Sequence, residues 1–283
     1  MHNRYFSDMM NVCVKTIFDA LPLEEQPSVV ADMGCGDGTL LKTIFLFVKT
    51  ATLRGQHLDT HPLIMCGVDF NEDSLMETGV TLSAAGVPHG LMRGDIGDPV
   101  PMQKELQAKF GVDRDHVLHV RSFLDHDRPY IPPSRSISES LRDALDATSD
   151  AVYVNNARNG KLVTPTEAFF SLVEHWERWS LCLGKHGLLV LEVSNLDVVS
   201  TQTFMSEATS MHFDCVQAHS GQMLMPAVHF SLGAAAAGLL PARNLLTYPK
   251  GSAYTRIVLQ QLQPAGFIIR LATIADAAQL LEL

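Results

Sequence analysis

Several things are scarce in this chain, and each scarcity excludes a class of protein. It has five cysteines in 283 residues, an odd number without a C-x-x-C pair. Neither a disulfide scaffold nor a cysteine-based zinc site is expected. Cys13, Cys35, Cys66, Cys182 and Cys215 sit in apolar or Gly-rich segments, where a thiol behaves as a small hydrophobe. That usage fits a reducing, cytoplasmic compartment. Basic residues are also few: 21 Lys and Arg stand against 31 Asp and Glu, a net charge of −10 with no basic run. Such a chain repels duplex nucleic acid. Long hydrophobic runs are missing, and stretches such as Gly187–Val193 fall far short of the roughly 18 residues of a membrane span. No basic stretch followed by an apolar one opens the chain, so no secretory signal is expected. What remains is 46% hydrophobic and 18% charged, with 19 Gly and 14 Pro. That is a globular composition, long enough for one large or two small domains.

The apolar pattern alternates between two periods. Phe6, Met10, Cys13, Val14, Ile17, Phe18 and Leu21 recur at helical spacing. A β-rich run at Ser28–Asp32 leads into glycines and a helical stretch to Val48. The alternation then continues with a strand at Leu63–Phe70, a helix at Glu72–Ala85, a strand at Gly90–Arg93, a helix at Met102–Phe110 and a strand at His116–Val120. Thr52–His61 reads as a polar insertion, and Asp125–Arg135 as a polar interruption. Beyond it come helices at Ile137–Ala147 and Thr164–Cys182, a buried strand at Leu188–Val193 and a helix at Met223–Leu239 with Pro226 in its first turn. Asn244–Tyr248 and Tyr254–Leu262 read as a hairpin at the sheet edge. Phe169, Leu172, Val173, Trp176 and Trp179 share one helical face and read as core. Strands alternating with helices of this length predict a mostly parallel sheet covered on both faces.

Asp32-Met33-Gly34-Cys35-Gly36-Asp37-Gly38 lies where a strand becomes a helix. Glycines there let a ligand rest on the backbone, and the following helix offers free N–H groups. The third glycine comes one residue too early for a dinucleotide fingerprint, and Gly38-Thr39 lacks the lysine of a phosphate loop. The D-x-G-x-G-x-G pattern resembles that of Rossmann-like S-adenosylmethionine-dependent methyltransferases. Asp69 and Phe70 end the second strand, where a carboxylate can accept both ribose hydroxyls. Asp95 and Ile96 end the third, where the resemblance implies contacts to the adenine amine and ring. One such acid is an ordinary turn residue, but three on successive strands favour a nucleoside. Arg121 joins this cofactor-binding set.

The loop after the fourth strand, Arg121-Ser122-Phe123-Leu124-Asp125-His126-Asp127-Arg128, sets an imidazole between two carboxylates. It reads equally well as a general base and as a salt-linked solvated loop. R-S-F-L-D-H-D-R, D-M-G-C-G-D-G-T-L-L-K, L-V-E-H-W-E-R-W-S and K-H-G-L-L-V-L-E-V together resemble one narrow family. It is the methyltransferase domain of polyketide synthase loading modules that precede a GNAT-like domain, of the apratoxin and saxitoxin starter-unit type. The similarity runs from Tyr5 to Leu262.

The resemblance implies a class I α/β fold with a mostly parallel seven-stranded sheet and helices on both faces. It also implies C-methylation of a malonyl or methylmalonyl group on an acyl carrier protein. From the loop itself, His126 is the candidate for proton abstraction or substrate-oxygen contact, with Asp125 orienting it. A family lid region is expected before Tyr5 and is lacking here. Residues 1–265 are expected to form the methyltransferase core, and 266–283 resemble the start of a GNAT-like domain. The family is understood to hold iron or manganese through a histidine that is Ser194 in this chain, together with a glutamine-rich turn that here reads Gln217-Ala218-His219-Ser220-Gly221-Gln222. Gln222 and His219 are therefore the candidate metal ligands. His212 and His229 are weaker ones, and His229 is expected to be structural. Two other functions remain open on the sequence: a metal-independent O- or N-methyltransferase of a small molecule, and a catalytically silent scaffold domain.

Overall fold

The computed structural model describes residues 2–147, 149–155, 160–207, 210–214, 217–243 and 245–265. Its strands are β1 (Val29–Met33), β2 (Ile64–Asp69), β3 (His89–Arg93), β4 (Val117–Ser122), β5 (Tyr153–Asn155), β6 (Lys161–Val163), β7 (Leu188–Val193), β8 (Leu239–Pro241), β9 (Leu246–Tyr248) and β10 (Ile257–Pro264). The main sheet runs β3-β2-β1-β4-β7-β10-β8, with β9 also on β10. β1, β2, β3, β4 and β7 are mutually parallel, and β10 is antiparallel to β7. β8 pairs with Leu262–Pro264 and β9 with Ile257–Leu259, so the two share one edge of β10. Eight strands thus occupy the seven expected positions.

All five residues of β1 are buried, as expected of a strand covered on both faces. On one face lie a helix over residues 2–19 and the helix Thr39–Ala51. On the other lie Pro99–Phe110, Pro165–Ser180 and Ala227–Ala236. The helix Pro165–Ser180 starts on a reciprocal cap: Glu167 N–H donates to Thr164 Oγ1 at 3.2 Å, and Thr164 N–H donates to Glu167 Oε2 at 3.0 Å. Trp176 and Trp179 on it are fully buried, as the spacing predicted. Truncating either to alanine would cost about 3–5 kcal/mol.

Several local expectations are corrected. The first helix carries a π turn at Met9–Val14. The extra residue rotates its stripe, so Tyr5 and Met9 are buried while Leu21 lies beyond the helix and is exposed. The Thr52–His61 connection is not a loose insertion, because Arg54 is buried and donates to the carbonyls of Leu23 and Pro62 at 2.9 Å. The helix expected over Met223–Leu239 is shorter. Pro226 is its extended N-cap rather than part of its first turn, and Leu239 begins β8. The backbone of 223–225 is engaged elsewhere: Met223 N–H donates to His126 O at 2.7 Å, and Met225 O accepts from Asn195 N–H at 3.0 Å. β5 and β6 form a separate small hairpin that the periodicity did not signal. The β9–β10 hairpin exists, but β10 lies one position in from the edge. Cys13, Cys35, Cys66 and Cys182 are free and buried. Cys215 and the GNAT-like stretch 266–283 lie outside the described residues. No helix among the described residues is long and apolar enough to cross a membrane.

Candidate active site

A cavity of about 900 Å³ opens beyond the carboxyl ends of β1, β2 and β3. Its walls include Gly34, Asp69, Phe70, Asp95, Ile96 and Leu124. This is the crevice where a parallel sheet reverses its strand order, the usual ligand position in such folds. The glycine turn is pinned to β2, because Val68 O accepts from Gly34 N–H at 2.8 Å and from Cys35 N–H at 3.2 Å. Gly34 has φ +74°, and a Cβ there would stand 2.8 Å from a methyl of Leu124. Gly36 has φ +54° and open space where its Cβ would be. Gly38 abuts Thr78 and starts the helix Thr39–Ala51. Gly34 touches the cavity, whereas Gly36 and Gly38 shape the turn behind it.

The acids occupy the expected places. Asp69 accepts Asn71 N–H at 2.9 Å and Gly36 N–H at 3.3 Å, which aims the carboxylate along the cavity wall. Asp95 accepts Gly97 N–H at 2.7 Å in a tight turn. Phe70 is 73% exposed, an apolar ring held at the rim. Asp32 is buried beneath the turn, and its Oδ1 has no partner. Burial, with Asp69 nearby, pushes its carboxyl well above the usual range. Burial favours the neutral form of this carboxyl. The cavity, the glycine turn and the carboxylates of Asp69 and Asp95 on its wall fit a nucleoside such as S-adenosylmethionine.

A second group of polar side chains stands at the carboxyl ends of β4 and β7. His126 lies on the short turn Asp125–Asp127. Its neighbours Leu124 and Asp127 line the cavity. The ring Nδ1 of His126 is 2.7 Å from Glu192 Oε1, and its backbone N–H donates to Glu192 Oε2 at 3.2 Å. Burial works against the imidazolium, but Glu192, with Asp127 and Asp125, outweighs it and raises the His126 pKa. Asp125 therefore does not orient His126, which corrects the sequence expectation: Glu192 does. Asp125 is 1% exposed and turns inward, with Oδ1 at 3.0 Å from His175 Nε2 and 3.3 Å from Arg121. Arg128 donates to the Asp125 carbonyl at 2.7 Å. These bonds brace the turn that carries His126.

Arg121 is likewise not where the sequence reading put it. It is fully buried and does not line the cavity. Its guanidinium lies 5.0 Å from the Trp176 ring and 4.3 Å from the Trp179 ring, where ring faces and Asp125 offset its charge. Glu192 and His175 were missed by the sequence reading. A signal for Glu192 was available: it is the one charge in the buried run Leu188–Val193.

The expected metal donors do not converge. Ser194 is buried with an unpartnered hydroxyl, and its backbone is clamped by Arg256, whose NH1 donates to Ser194 O at 2.6 Å. His219 is exposed, Gln222 is half-buried and His212 is exposed. His229 is buried in the helix Ala227–Ala236, as expected of a structural residue. Among the described residues no three His, Cys, Asp or Glu side chains are grouped to hold a metal. A hydroxyl where an imidazole is needed is a poor neutral ligand. The donor set does not fit bound iron or manganese.

Strand order, glycine turn and the acids after β2 and β3 define a class I S-adenosylmethionine-dependent methyltransferase. More narrowly, the chain belongs to the family described as the AprA MT2-like domain, whose model matches residues 1–260. No curated protein sequence matches it. Among solved structures it is similar to geranyl diphosphate methyltransferase in complex with SAM, at 9% identity and TM-score 0.49, over 93% of this chain and 86% of that one. It is also similar to LepI in complex with SAM, at 12% identity and TM-score 0.47, over 88% of this chain. A third is a protein from Galdieria sulphuraria described as a sarcosine dimethylglycine methyltransferase, at 8% identity and TM-score 0.46, over 87% of this chain. The chain spans 65% of the Galdieria protein and 46% of LepI. At these scores the likeness adds nothing to the topology itself.

Proposed function

We propose that this domain methylates the α-carbon of a malonyl or methylmalonyl thioester carried on an acyl carrier protein, beside a GNAT-like domain in a larger cytoplasmic synthase. Family membership supports the polyketide context. The observation that carries the chemistry is the His126–Glu192 pair, held on a turn whose Leu124 and Asp127 line the cofactor cavity. When bound, S-adenosylmethionine supplies an electrophilic methyl group. The remaining work falls to this chain. A thioester α-carbon is nucleophilic only after losing a proton. With Glu192 ionised, His126 donates Nδ1–H to it, which leaves Nε2 with the lone pair. Nε2 takes the α-proton first, the C–H electron pair passing into the thioester enolate, and Glu192 stabilises the resulting imidazolium. The enolate carbon would then accept the methyl group as the sulfonium S–CH3 bond breaks and S-adenosylhomocysteine leaves. The raised His126 pKa suits that task, since it makes a stronger base. Asp69 and Asp95 hold the nucleoside end in place, so the reacting carbon meets the methyl group in line. No step is assigned to a metal.

Mass spectrometry of malonyl-loaded carrier protein, incubated with cofactor and the intact synthase segment, tests the reading. Addition of one methyl group at the α-carbon is expected. Methylation of only a free hydroxyl or amine would replace this reading with an O- or N-methyltransferase, and absence of cofactor binding would leave a scaffold.

A further inference from the structure

A second cavity, of about 570 Å³, opens at the carboxyl end of β7. Its lining residues are all different from those of the cofactor cavity. The His126–Glu192 pair lines neither cavity, but short stretches of backbone link it to both. On one side, Leu124, Asp127 and Pro129 flank His126 along the cofactor cavity. On the other, Met223 N–H grips His126 O at 2.7 Å, and the chain runs on through Met225, which accepts Asn195 N–H at 3.0 Å, to Pro226. Asn195 and Pro226 line the second cavity. Glu192 near the end of β7 and Asn195 beyond it are three residues apart, at most on the order of 10 Å of chain. The second cavity is therefore tied, through 223–226 and the chain leaving β7, to the turn that carries His126.

Its chemistry is selective. The described lining residues include neither lysine nor arginine. His229 is the one histidine there, and burial lowers its pKa, so it stays neutral. Asp150 and Asp197 are already committed to starting the helix Val198–Phe204: Asp150 Oδ2 accepts Val198 N–H at 2.8 Å, and Asp197 accepts Ser200 N–H at 2.8 Å and its hydroxyl at 2.6 Å. A phosphate or carboxylate here would find no cation and two negative neighbours. Leu196, Val228, Leu232 and Tyr254 give apolar walls, while Asn195 and Thr255 bring hydrogen-bonding groups. The volume lies within the roughly 300–1,000 Å³ of small-ligand sites.

We infer that this cavity is the acceptor subsite, and that it takes the neutral, amide-bearing pantetheine arm of a carrier-bound thioester with the arm's phosphate left outside. The inference rests on the carrier-bound substrate proposed above. Leu196, Val228 and Leu232 pack on the alkyl parts of the arm, and the Asn195 amide pairs with one of its amides. The malonyl end then reaches the His126 side.

Titration calorimetry with pantetheine as probe tests this independently of any reaction. The full chain is expected to bind pantetheine, and 4′-phosphopantetheine no more tightly. Leu232→Trp, at a position 51% exposed and so tolerant of a larger side chain, should weaken pantetheine at least tenfold while S-adenosylmethionine affinity stays within twofold. Ala227→Phe, at the start of the same helix, should act the same way. Failure of pantetheine to bind, equal binding by both variants and the parent, or a clear gain from the phosphate would overturn the inference. If pantetheine binds as expected but malonyl-carrier protein is not methylated, the subsite stands and the proposed reaction falls.

Discussion

The cofactor half of the sheet, β1 to β3, and the acceptor half, β4, β7 and β10, reach function by different routes. In the first, the acids are held by turn neighbours two residues on, Asp69 by Asn71 and Asp95 by Gly97, and the glycine turn hangs on the backbone of the adjacent strand β2. In the second, the groups meet across the chain. His126 and Glu192 are 66 positions apart, and Asp125 and His175 are 50 apart. Strand ends that carry short local turns make a preformed ligand cradle. A catalytic base in a buried charge cluster needs partners from several elements at once, because each buried charge must be matched.

The comparison predicts that variants in the two halves separate binding from chemistry. The largest effect is expected from His126→Ala, a fall of about 10²–10⁴-fold in methylation rate, with S-adenosylmethionine affinity by calorimetry unchanged. An equal loss of cofactor binding would merge the two halves into one site. Next, Asp69→Ala removes the carboxylate proposed to accept the ribose hydroxyls and should cost roughly 1.5–3 kcal/mol of cofactor affinity, with little change in rate at saturation. Gly36→Val places a branched side chain in the open space beside the turn, at a positive φ, and should act in the same direction. Unchanged affinity in both, with the fold intact by circular dichroism, would refute the cradle.

A smaller effect is a displacement on the pH axis. Glu192→Gln still accepts the Nδ1–H bond but removes the charge that raises the His126 pKa. The base then deprotonates at lower pH, so the acid limb of the rate profile should move to lower pH while the plateau falls. A limb that stays in place would mean that Glu192 does not act through His126.

Stability sharpens the comparison further, since the buried histidines all lie in the acceptor half. Burial holds His119 and His175 at about 3. The unfolded chain protonates both near pH 6.5, so folding free energy should decline as pH drops from about 6.5 toward 3, with a slope of up to about two protons. His126 has the opposite sign. Its folded pKa is raised, so its stabilisation is present below the ordinary imidazole range and is lost as pH rises through the folded value. Urea unfolding across pH, with His175→Gln removing about one proton of slope, checks the assignment. The smallest effect is expected from chelation: EDTA should leave the methylation rate within twofold. A tenfold loss would show that Gln222 and His219 gather a metal after all.

The legible part of the site is the local part. Asp32, Gly34, Asp69 and Asp95 could be placed because a strand followed at once by a polar or glycine turn marks a carboxyl end of a parallel sheet. Asp125 and Arg121 were read as neighbours of the ligand because the loop sequence sets them beside His126. In three dimensions the 3₁₀ turn sends Asp125 inward to His175, and the alternation of β4 sends Arg121 onto the two tryptophans. The Met223–Leu239 helix was overextended for a related reason: its apolar composition carries no record of the bonds that hold 223–225 extended.

The sequence by itself determined the alternating architecture, the cofactor cradle and the family, since these depend on period, glycine placement and short turns. Only the tertiary structure decided that Glu192 orients His126, that Asp125 and Arg121 brace the turn, and that a cavity whose described lining holds no lysine or arginine opens past the end of β7. The physical reason is distance along the chain. Hydrophobic period and turn chemistry are local, whereas the pairing of buried charges is settled by which strands and helices come to lie side by side.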